Sequence, residues 1–267
     1  MSRDRSTETT DPTAGDHCLP FEPRLALASL SGEADAEWAA AGAHLAGAAF
    51  IGGVTLDEAS LEAARALVDR DRREFLPDDP LAFINGQLSA LDDVAIQPGV
   101  NVRSTTVEPI REAAAVCGTH GAILEINAHC RQPELREAGC GESLLADSDR
   151  LTTYVETAAA EGPAVSVKVR AEVEGVDLPA VADRIESAGA DVIHIDAMDS
   201  EAVVEDVAAA TDLFVIANNE VRDHESVREY FKYGADAVSV GRPSRQPTGA
   251  VMRRVASAVD EREVVVS

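Results

Sequence analysis

The chain has 267 residues, enough for one large domain with a buried core, and no apolar stretch approaches the roughly 18 residues of a membrane-spanning helix. Its net charge of −25, from 48 acidic and 23 basic residues, excludes the basic surface typical of nucleic-acid-binding proteins. RNA is still a candidate ligand, because molar salt would weaken contacts between basic residues and phosphates in any case. Arginine largely replaces lysine, since Lys168 and Lys232 are the only lysines, which favours a halophilic cytoplasm over an ordinary acidic protein.

Eight short apolar runs alternate with amphipathic stretches along the chain. They span residues 25–30, 48–51, 100–102, 122–126, 164–169, 191–195, 214–217 and 237–240. Parallel strands read as continuous apolar runs because crossover helices cover them. Eight such units predict an α/β fold, a single-domain (β/α)8 TIM barrel of roughly 250 residues with its chemistry at the C-terminal strand ends.

The ends of the chain and of its helices carry local signals. Residues 1–20 are polar, without the apolar core of a signal peptide, so we expect a flexible tail on a soluble cytoplasmic protein, followed by a barrel over residues 21–262. Thr-x-x-Glu patterns that start at Thr55 and Thr105 fit the capping box, and Asp223 is predicted to cap a later helix. Residues 75–93 form an unusually long connection, either a lid or an extra edge element.

Polar residues follow the last two strands. Asn218 and Asn219 come after strand seven, and Gly241 and Arg242 after strand eight. The loops after these strands commonly bind phosphate in barrel enzymes through backbone N–H groups. Asn219 tolerates positive φ and Arg242 offers a guanidinium fork, so the pattern favours a phosphate site over two ordinary turns.

Two cations mark the end of strand five. Lys168 and Arg170 are two positions apart and therefore point to the same face of the sheet. Because the chain has so few lysines, the position of Lys168 at a strand end favours a functional role over a structural ion pair with a neighbouring carboxylate. His194 lies within the strand-six run, where a histidine alone is more often a satisfied core residue.

One of the four cysteines lies in a polar loop. Cys130 follows strand four between His129 and Arg131, where a thiol can exchange protons. Cys117 and Cys140 are interpreted as small buried hydrophobes. The cysteines and histidines show no metal-ligand spacing, so neither a zinc site nor a disulfide scaffold is predicted.

Together these residues resemble the dihydrouridine synthase family of flavin barrels. The segments that match the family's motifs, in the family's order, are Asn127-Ala128-His129-Cys130, Gly139-Cys140-Gly141, Lys168-Val169-Arg170, His194, Ala217-Asn218-Asn219 and Gly241-Arg242. Ala28 and Ser29 stand where the family has Ala-Pro-Met, and Asn101 where a strand-three glutamine contacts the flavin ring. The resemblance covers residues 25 to 245 and depends on the joint order and spacing of these motifs.

The resemblance implies an enzyme that binds FMN and reduces a uracil C5=C6 bond, with NAD(P)H as electron donor and tRNA as the expected partner. Cys130 would be the general acid and Lys168 would lie near the pyrimidine edge of the flavin. The residues implied to hold the ribityl phosphate are His194, Asn218, Gly241 and Arg242, with Asn127 and Asn219 beside the cofactor. Arg131 and Arg170 are expected to face the substrate.

The departures from the family pattern leave alternatives open. His129 replaces a glycine and Arg131 a proline, so the substrate-facing loop differs. The 25 residues after Arg242 fit a final barrel helix over residues 248–262, and we expect no helical tRNA-binding domain. These features are typical of a divergent archaeal branch. The alternatives are a reductase of a free pyrimidine or enoate, a non-catalytic FMN- or phosphate-binding barrel, and a flavin-free isomerase or aldolase.

Overall fold

Eight parallel strands form a closed barrel in the computed structural model, which describes residues 21–266, with side chains through residue 261. The strands are β1 Leu25–Leu27, β2 Ala48–Thr55, β3 Gln97–Arg103, β4 Ile123–Asn127, β5 Val165–Arg170, β6 Val192–Asp196, β7 Phe214–Asn218 and β8 Ala237–Val240. Each strand pairs with the next, and β8 pairs with β1. The predicted TIM barrel is confirmed. The predicted tail, residues 1–20, lies outside the described residues.

Helices cover the outside of the barrel. They are α1 Ala36–Gly42, α2 Glu58–Val68, α3 Pro80–Ser89, α4 Glu108–Thr119, α5 Pro133–Glu137, α6 Glu142–Ala146, α7 Ser148–Ala159, α8 Leu178–Ser187, α9 Val203–Ala210, α10 His224–Lys232 and α11 Ala250–Val266, with a 3-10 turn at Arg242–Arg245. None of the helices within residues 21–266 is long and apolar enough to cross a bilayer.

The helix starts correct two of the sequence predictions. Asp223 caps α10 as predicted, but neither threonine forms its capping box. Asp57 caps α2 instead by accepting a hydrogen bond from Ser60 N at 2.9 Å, and Thr55 is the last residue of β2. The other oxygen of Asp57 accepts from Thr105 N at 2.5 Å, so the residues before α4 bind the neighbouring loop rather than their own helix.

The long connection after α2 contains an additional outer-layer helix. Helix α3 buries Ile84 and Leu88 against the barrel, so this part of the segment is structural packing and not a lid. The residues just before it run over the C-terminal end of the barrel. Their backbone lies against Gly32, where a Cβ would stand 2.5 Å from the backbone nitrogen of Glu74.

The barrel interior changes from apolar to polar along its axis. Its N-terminal half is filled by a cluster of Phe21, Ala26, Ala48, Phe50, Ile123, Val192, Ile216 and Ala237. Strand residues alternate between the interior and the helices, so the next inward positions carry polar side chains. Among these, Asn101, Glu125, Ser166, His194 and Ser239 are all fully buried. The apolar half therefore supports a polar layer beneath the C-terminal strand ends.

Candidate active site

A cleft of about 780 Å³ opens at the C-terminal ends of the strands, where the fold places the chemistry of such barrels. More than half of the residues predicted from the sequence line it: Ser29, Asn127, Cys130, Arg131, Arg170, Asn219 and Arg242. They come from the last residues of five different strands or from the loops that follow them. The fold therefore brings the predicted general acid and the predicted phosphate-binding arginine to one cavity.

The remaining predicted residues, which do not line the cleft, are Ala28, Asn101, Lys168, His194, Asn218 and Gly241. Asn101 and His194 are completely buried, and their polar atoms are hydrogen-bonded inside the barrel. A direct contact of His194 with a cofactor phosphate, or of Asn101 with a flavin ring, is therefore not supported by this geometry. Both side chains connect other residues instead.

One branch of the buried polar layer leads to the Cys130 loop. Asn101 Nδ2 donates to Glu125 Oε1 at 2.8 Å, and Asn127 Nδ2 donates to Asn101 Oδ1 at 2.8 Å. The Oδ1 of Asn127 then accepts from the backbone N–H of Cys130 at 3.2 Å and of His129 at 3.3 Å. Hydrogen bonds thus run without a break from the barrel centre to the backbone of the predicted general acid.

A second branch leads to the end of β7. His194 Nδ1 lies 2.7 Å from Glu125 Oε2, and His194 Nε2 lies 2.7 Å from Ser239 Oγ. Asn218 Nδ2 donates to Ser239 Oγ at 2.8 Å, and the serine keeps a proton that it can donate to His194 Nε2. With the carboxylate of Glu125 accepting at Nδ1, neutral His194 carries its proton on Nδ1. Burial, and then the charge of Lys168, lower the pKa of His194 and agree with that assignment.

Lys168 lies at the end of β5 between these branches, paired in the ladder with Asn127 and His194. Its side chain is 3% exposed, and within the described residues its ammonium forms no hydrogen bond or close ion pair. Burial lowers the pKa of Lys168, whereas the charges of Glu125 and Asp196 oppose that shift. An ammonium without a hydrogen-bond acceptor in the protein is suited to a ligand that brings acceptor oxygens.

The Cys130 loop is also held from the side of α6. Gly141 has φ +61, and a Cβ there would lie 2.1 Å from the Cys130 carbonyl oxygen, so only glycine allows this approach. Glu142 N donates to that same carbonyl at 3.0 Å. The Glu142 carboxylate in turn binds Arg170 at 3.2 Å and Arg136 at 2.8 Å. This contact explains the glycine motif that the sequence analysis noted.

His129 adds a neutral group beside the thiol. Burial, then the charges of Lys168 and Arg103, hold the pKa of His129 well below its usual value. Its Nδ1 lies 3.1 Å from Asn127 Oδ1, an acceptor, so the proton of the neutral ring is on Nδ1. The residue that replaces the family's loop glycine therefore adds no charge to the cleft at neutral pH.

The cleft concentrates positive charge in an otherwise acidic protein. Seven arginines line it: Arg72, Arg73, Arg103, Arg131, Arg170, Arg242 and Arg245. Four are paired with carboxylates, those of Glu33, Glu74 and Glu142. The side chains of Arg72, Arg131 and Arg242 form no ion pair with any described residue. Unpaired guanidinium groups in a concave site favour an anionic ligand.

The loops after β7 and β8 leave space for a phosphate. Asn219 has φ +98, and its Nδ2 donates to Met198 O at 2.6 Å, which fixes the turn after β7. A Cβ on Gly241 would meet no other atom within 4 Å. With Arg242 beside this space and Lys168 on β5 at the same end of the barrel, the donors fit a phosphorylated cofactor such as FMN.

Several residues of the site escaped the sequence analysis, chiefly Glu125, Arg103, Glu74 and Glu142. The signal for Glu125 was a carboxylate inside an apolar run, two positions before Asn127. Glu74 and Arg103 offered no local signal, because their pairing depends on the connection after α2 crossing the barrel end. Within residues 21–261, no group of three or more His, Cys, Asp or Glu side chains is placed to bind a metal ion.

Comparison with known proteins places the barrel in a family. The sequence profile of the dihydrouridine synthase (Dus) family matches residues 91–263. An uncharacterized protein of Methanocaldococcus jannaschii is 26% identical over 235 residues, 83% of this chain and 89% of that protein. These two matches extend over most of the described barrel.

Solved structures share the fold at lower identity. DHODH from Eimeria tenella, solved in complex with ferulenol, is 17% identical with a TM-score of 0.67, covering 91% of this chain and 83% of that one. FabK from Thermotoga maritima is 18% identical with a TM-score of 0.56, covering 83% of this chain but only 58% of that one. At these identities the likeness shows the barrel fold. By its family match, the chain belongs to the dihydrouridine synthase family, which groups flavin-dependent oxidoreductases built on a TIM barrel.

Proposed function

We propose that this protein reduces the C5=C6 bond of a uracil base in tRNA, in the cytoplasm, with FMN as cofactor and NAD(P)H as the source of electrons. The observation that carries the proposal is the position of Cys130. Its thiol lines the same cleft as the unpaired side chains of Arg131 and Arg242, in a barrel of the dihydrouridine synthase family. A proton donor and anion-binding groups therefore face one cavity.

The residues proposed to hold FMN occupy two parts of the barrel end. Arg242, with the open space at Gly241 and the turn at Asn219, would bind the phosphate. Lys168 would bring its ammonium to the oxygen-rich edge of the ring, where a positive charge favours the reduced, anionic form. When bound, the flavin supplies the hydride that reduction of a carbon–carbon double bond requires.

Cys130 supplies the proton in this proposal. A thiol has an ordinary pKa of about 8.5 and is mostly protonated near neutrality, so it can act as a general acid toward C5 of the base. The backbone around Cys130 is fixed by Asn127 on one side and by Gly141 and Glu142 on the other. Neutral His129 next to it adds no charge beside the thiol.

The arginines support a polyanionic substrate. Arg72 comes from the connection after α2 and Arg131 from the loop after β4, so unpaired cations line the cleft from separate loops. Arg170, predicted to face the substrate, is 8% exposed, and its Nε has no hydrogen-bond partner among the described residues. Phosphates of an RNA backbone would satisfy these donors.

The test uses full-length protein purified in high salt. Its visible spectrum should show bound flavin, or a flavin spectrum should be perturbed on titration with FMN, and NADH or NADPH should bleach it anaerobically. Unmodified tRNA should then gain dihydrouridine. A colourless protein that does not bind FMN would refute the flavin assignment, and a flavin that no nicotinamide or low-potential donor reduces would favour a binding barrel.

Two variants separate the catalytic role from folding. Cys130→Ala should retain FMN and lose dihydrouridine formation, whereas Cys117→Ala, changed at a buried position on α4, should keep both. If Cys130→Ala formed dihydrouridine as fast as the unchanged protein, this thiol would have no role in the mechanism. Turnover of free uridine monophosphate in preference to tRNA would replace the proposed substrate with a small pyrimidine.

A further inference from the structure

The carboxylate of Glu125 lies at the centre of the barrel, although the mechanism above does not use it. It is fully buried and accepts hydrogen bonds from three side chains on three other strands, Asn101, Ser166 and His194. Asn101 Nδ2 can only donate, and neutral His194 presents its Nδ1 proton, so an ionised Glu125 that acts only as an acceptor satisfies all three contacts.

An acceptor-only group gives direction to the hydrogen bonds that follow it. Asn101 must turn its NH2 group toward Glu125 Oε1, which leaves its carbonyl oxygen facing Asn127. Asn127 must then turn its own NH2 group toward Asn101, which leaves its carbonyl oxygen for the Cys130 loop. The orientation of each amide is dictated by the one before it.

The end of this series is the part that concerns Cys130. Asn127 Oδ1 accepts from the N–H of His129 and of Cys130, and each contact is 3.2 to 3.3 Å long. If the Asn127 amide were reversed, its NH2 group would face these two N–H groups. Two donors in contact would push the loop away from β4.

We propose that Glu125 is a positioning residue whose buried carboxylate fixes, through Asn101 and Asn127, the backbone of the Cys130 loop. A glutamine here would have the same shape but could present either an oxygen or an NH2 group to Asn101. Both amide orientations would then become populated along the series. The consequence for turnover rests on the function proposed above, whereas the effect on the loop does not.

The charges around Glu125 agree with this role. Burial raises the pKa of this carboxyl group, but its close interaction with His194, the positive charge of Lys168 and the hydrogen bond from Asn101 outweigh burial and lower it. The carboxylate is therefore ionised throughout the neutral range. Lys168 and His194 face it from β5 and β6, and of the ionisable side chains in the described part of the chain only His194 is hydrogen-bonded to it.

The experiment measures the reactivity of Cys130 without any turnover. Protein in high salt is treated with iodoacetamide, and the modification of individual cysteines is followed by mass spectrometry. In Glu125→Gln we expect Cys130 to react about fivefold faster, the ratio that loss of one hydrogen bond to the loop produces. Buried Cys117 on α4 reports global unfolding in the same sample and should not change.

Two further variants test the route. Ser166→Ala removes a hydrogen bond from the other oxygen of Glu125 and should leave Cys130 reactivity unchanged. Asn127→Ala should accelerate the reaction by itself, and Glu125→Gln added to it should then have no further effect. This non-additivity is expected only when the two residues act through the same series of hydrogen bonds.

Three results would overturn the inference: unchanged Cys130 reactivity in Glu125→Gln, a parallel rise at Cys117, or independent effects in the double variant. If Glu125→Gln does not fold, Asn101→Ala breaks the same series of hydrogen bonds while Glu125 and Asn127 are kept. The same three results in that variant would overturn the inference. The alkylation pattern does not depend on bound flavin or on turnover. Failure of the proposed function is therefore recognised separately, by the flavin and tRNA assays above.

Discussion

The ion pair between Arg103 and Glu74 offers the most direct test of how the cleft wall is held. The atoms Nη1 and Oε2 are 2.7 Å apart, and the side chains are 3% and 2% exposed. Ser31 Oγ accepts from Nη2, while Nε has no partner in the described structure. Glu74→Ala would therefore leave a buried guanidinium with one remaining hydrogen bond.

The expected loss of stability follows from this burial. Breaking a buried pair by removing one partner costs about 3–5 kcal/mol, and we expect the lower end, about 3 kcal/mol, because Arg103 borders the open cleft. For a chain of this size, about 1 kcal/mol lowers the melting temperature by roughly 2–4 °C. Glu74→Ala should thus lower the melting temperature by roughly 6–12 °C.

The assay is urea and thermal unfolding at fixed high potassium chloride. Glu58→Ala serves as the matched control, since Glu58 forms a 2.9 Å pair with Arg65 in which the side chains are 80% and 54% exposed. An exposed pair contributes about 0–1 kcal/mol, and salt screens it further. Equal losses in the two variants would refute the argument from burial. Replacement of both Glu74 and Arg103 by methionine should recover most of the loss.

Three further predictions concern the cleft. Gly141→Ala should expose Cys130 to alkylation and destabilise the protein by more than Gly121→Ala, because the two glycines share φ near +60 but only Gly141 contacts another backbone. Equal losses of stability in the two variants would contradict this steric explanation. The pKa of His129 is lowered in the folded state, so the free energy of unfolding should fall as pH drops from about 6.5 toward that lower pKa. His129→Gln should flatten this pH dependence in urea titrations. If the pH dependence of stability is the same in the variant and the unchanged protein, His129 is not its source. Arg242→Met should weaken FMN binding at least about tenfold in a fluorescence titration, and unchanged affinity would exclude it from the phosphate site.

The strands and the end of the barrel that carries the site follow from local pattern. Apolar runs between amphipathic stretches predict parallel strands, and the C-terminal ends of such strands meet at one edge of the barrel. Cys130, Arg131 and Arg242 were therefore predicted together from their places after strands four and eight, and the structure brings them to one cleft.

The local signals failed where a neighbouring loop competed for the same hydrogen bond. Thr105 has the sequence of a capping residue, but its N–H is bound by Asp57, far away in the chain. Hydrogen bonds to partners on other strands also explain why His194 and Asn101 do not line the cleft. Each was expected at the cofactor from the resemblance, and each is engaged in the buried polar layer, because inward strand positions below the mouth face other strands.

The sequence by itself determined the barrel, the strand ends that carry the site and the loop that holds Cys130, since these depend on alternation and order along the chain. Only the tertiary structure decided which polar groups meet. The partners of Glu125 lie 24, 41 and 69 positions away, and Glu74 reaches Arg103 across 29. Closure of the barrel sets these contacts, because it places inward side chains of separate strands at hydrogen-bond distance irrespective of their separation in the chain.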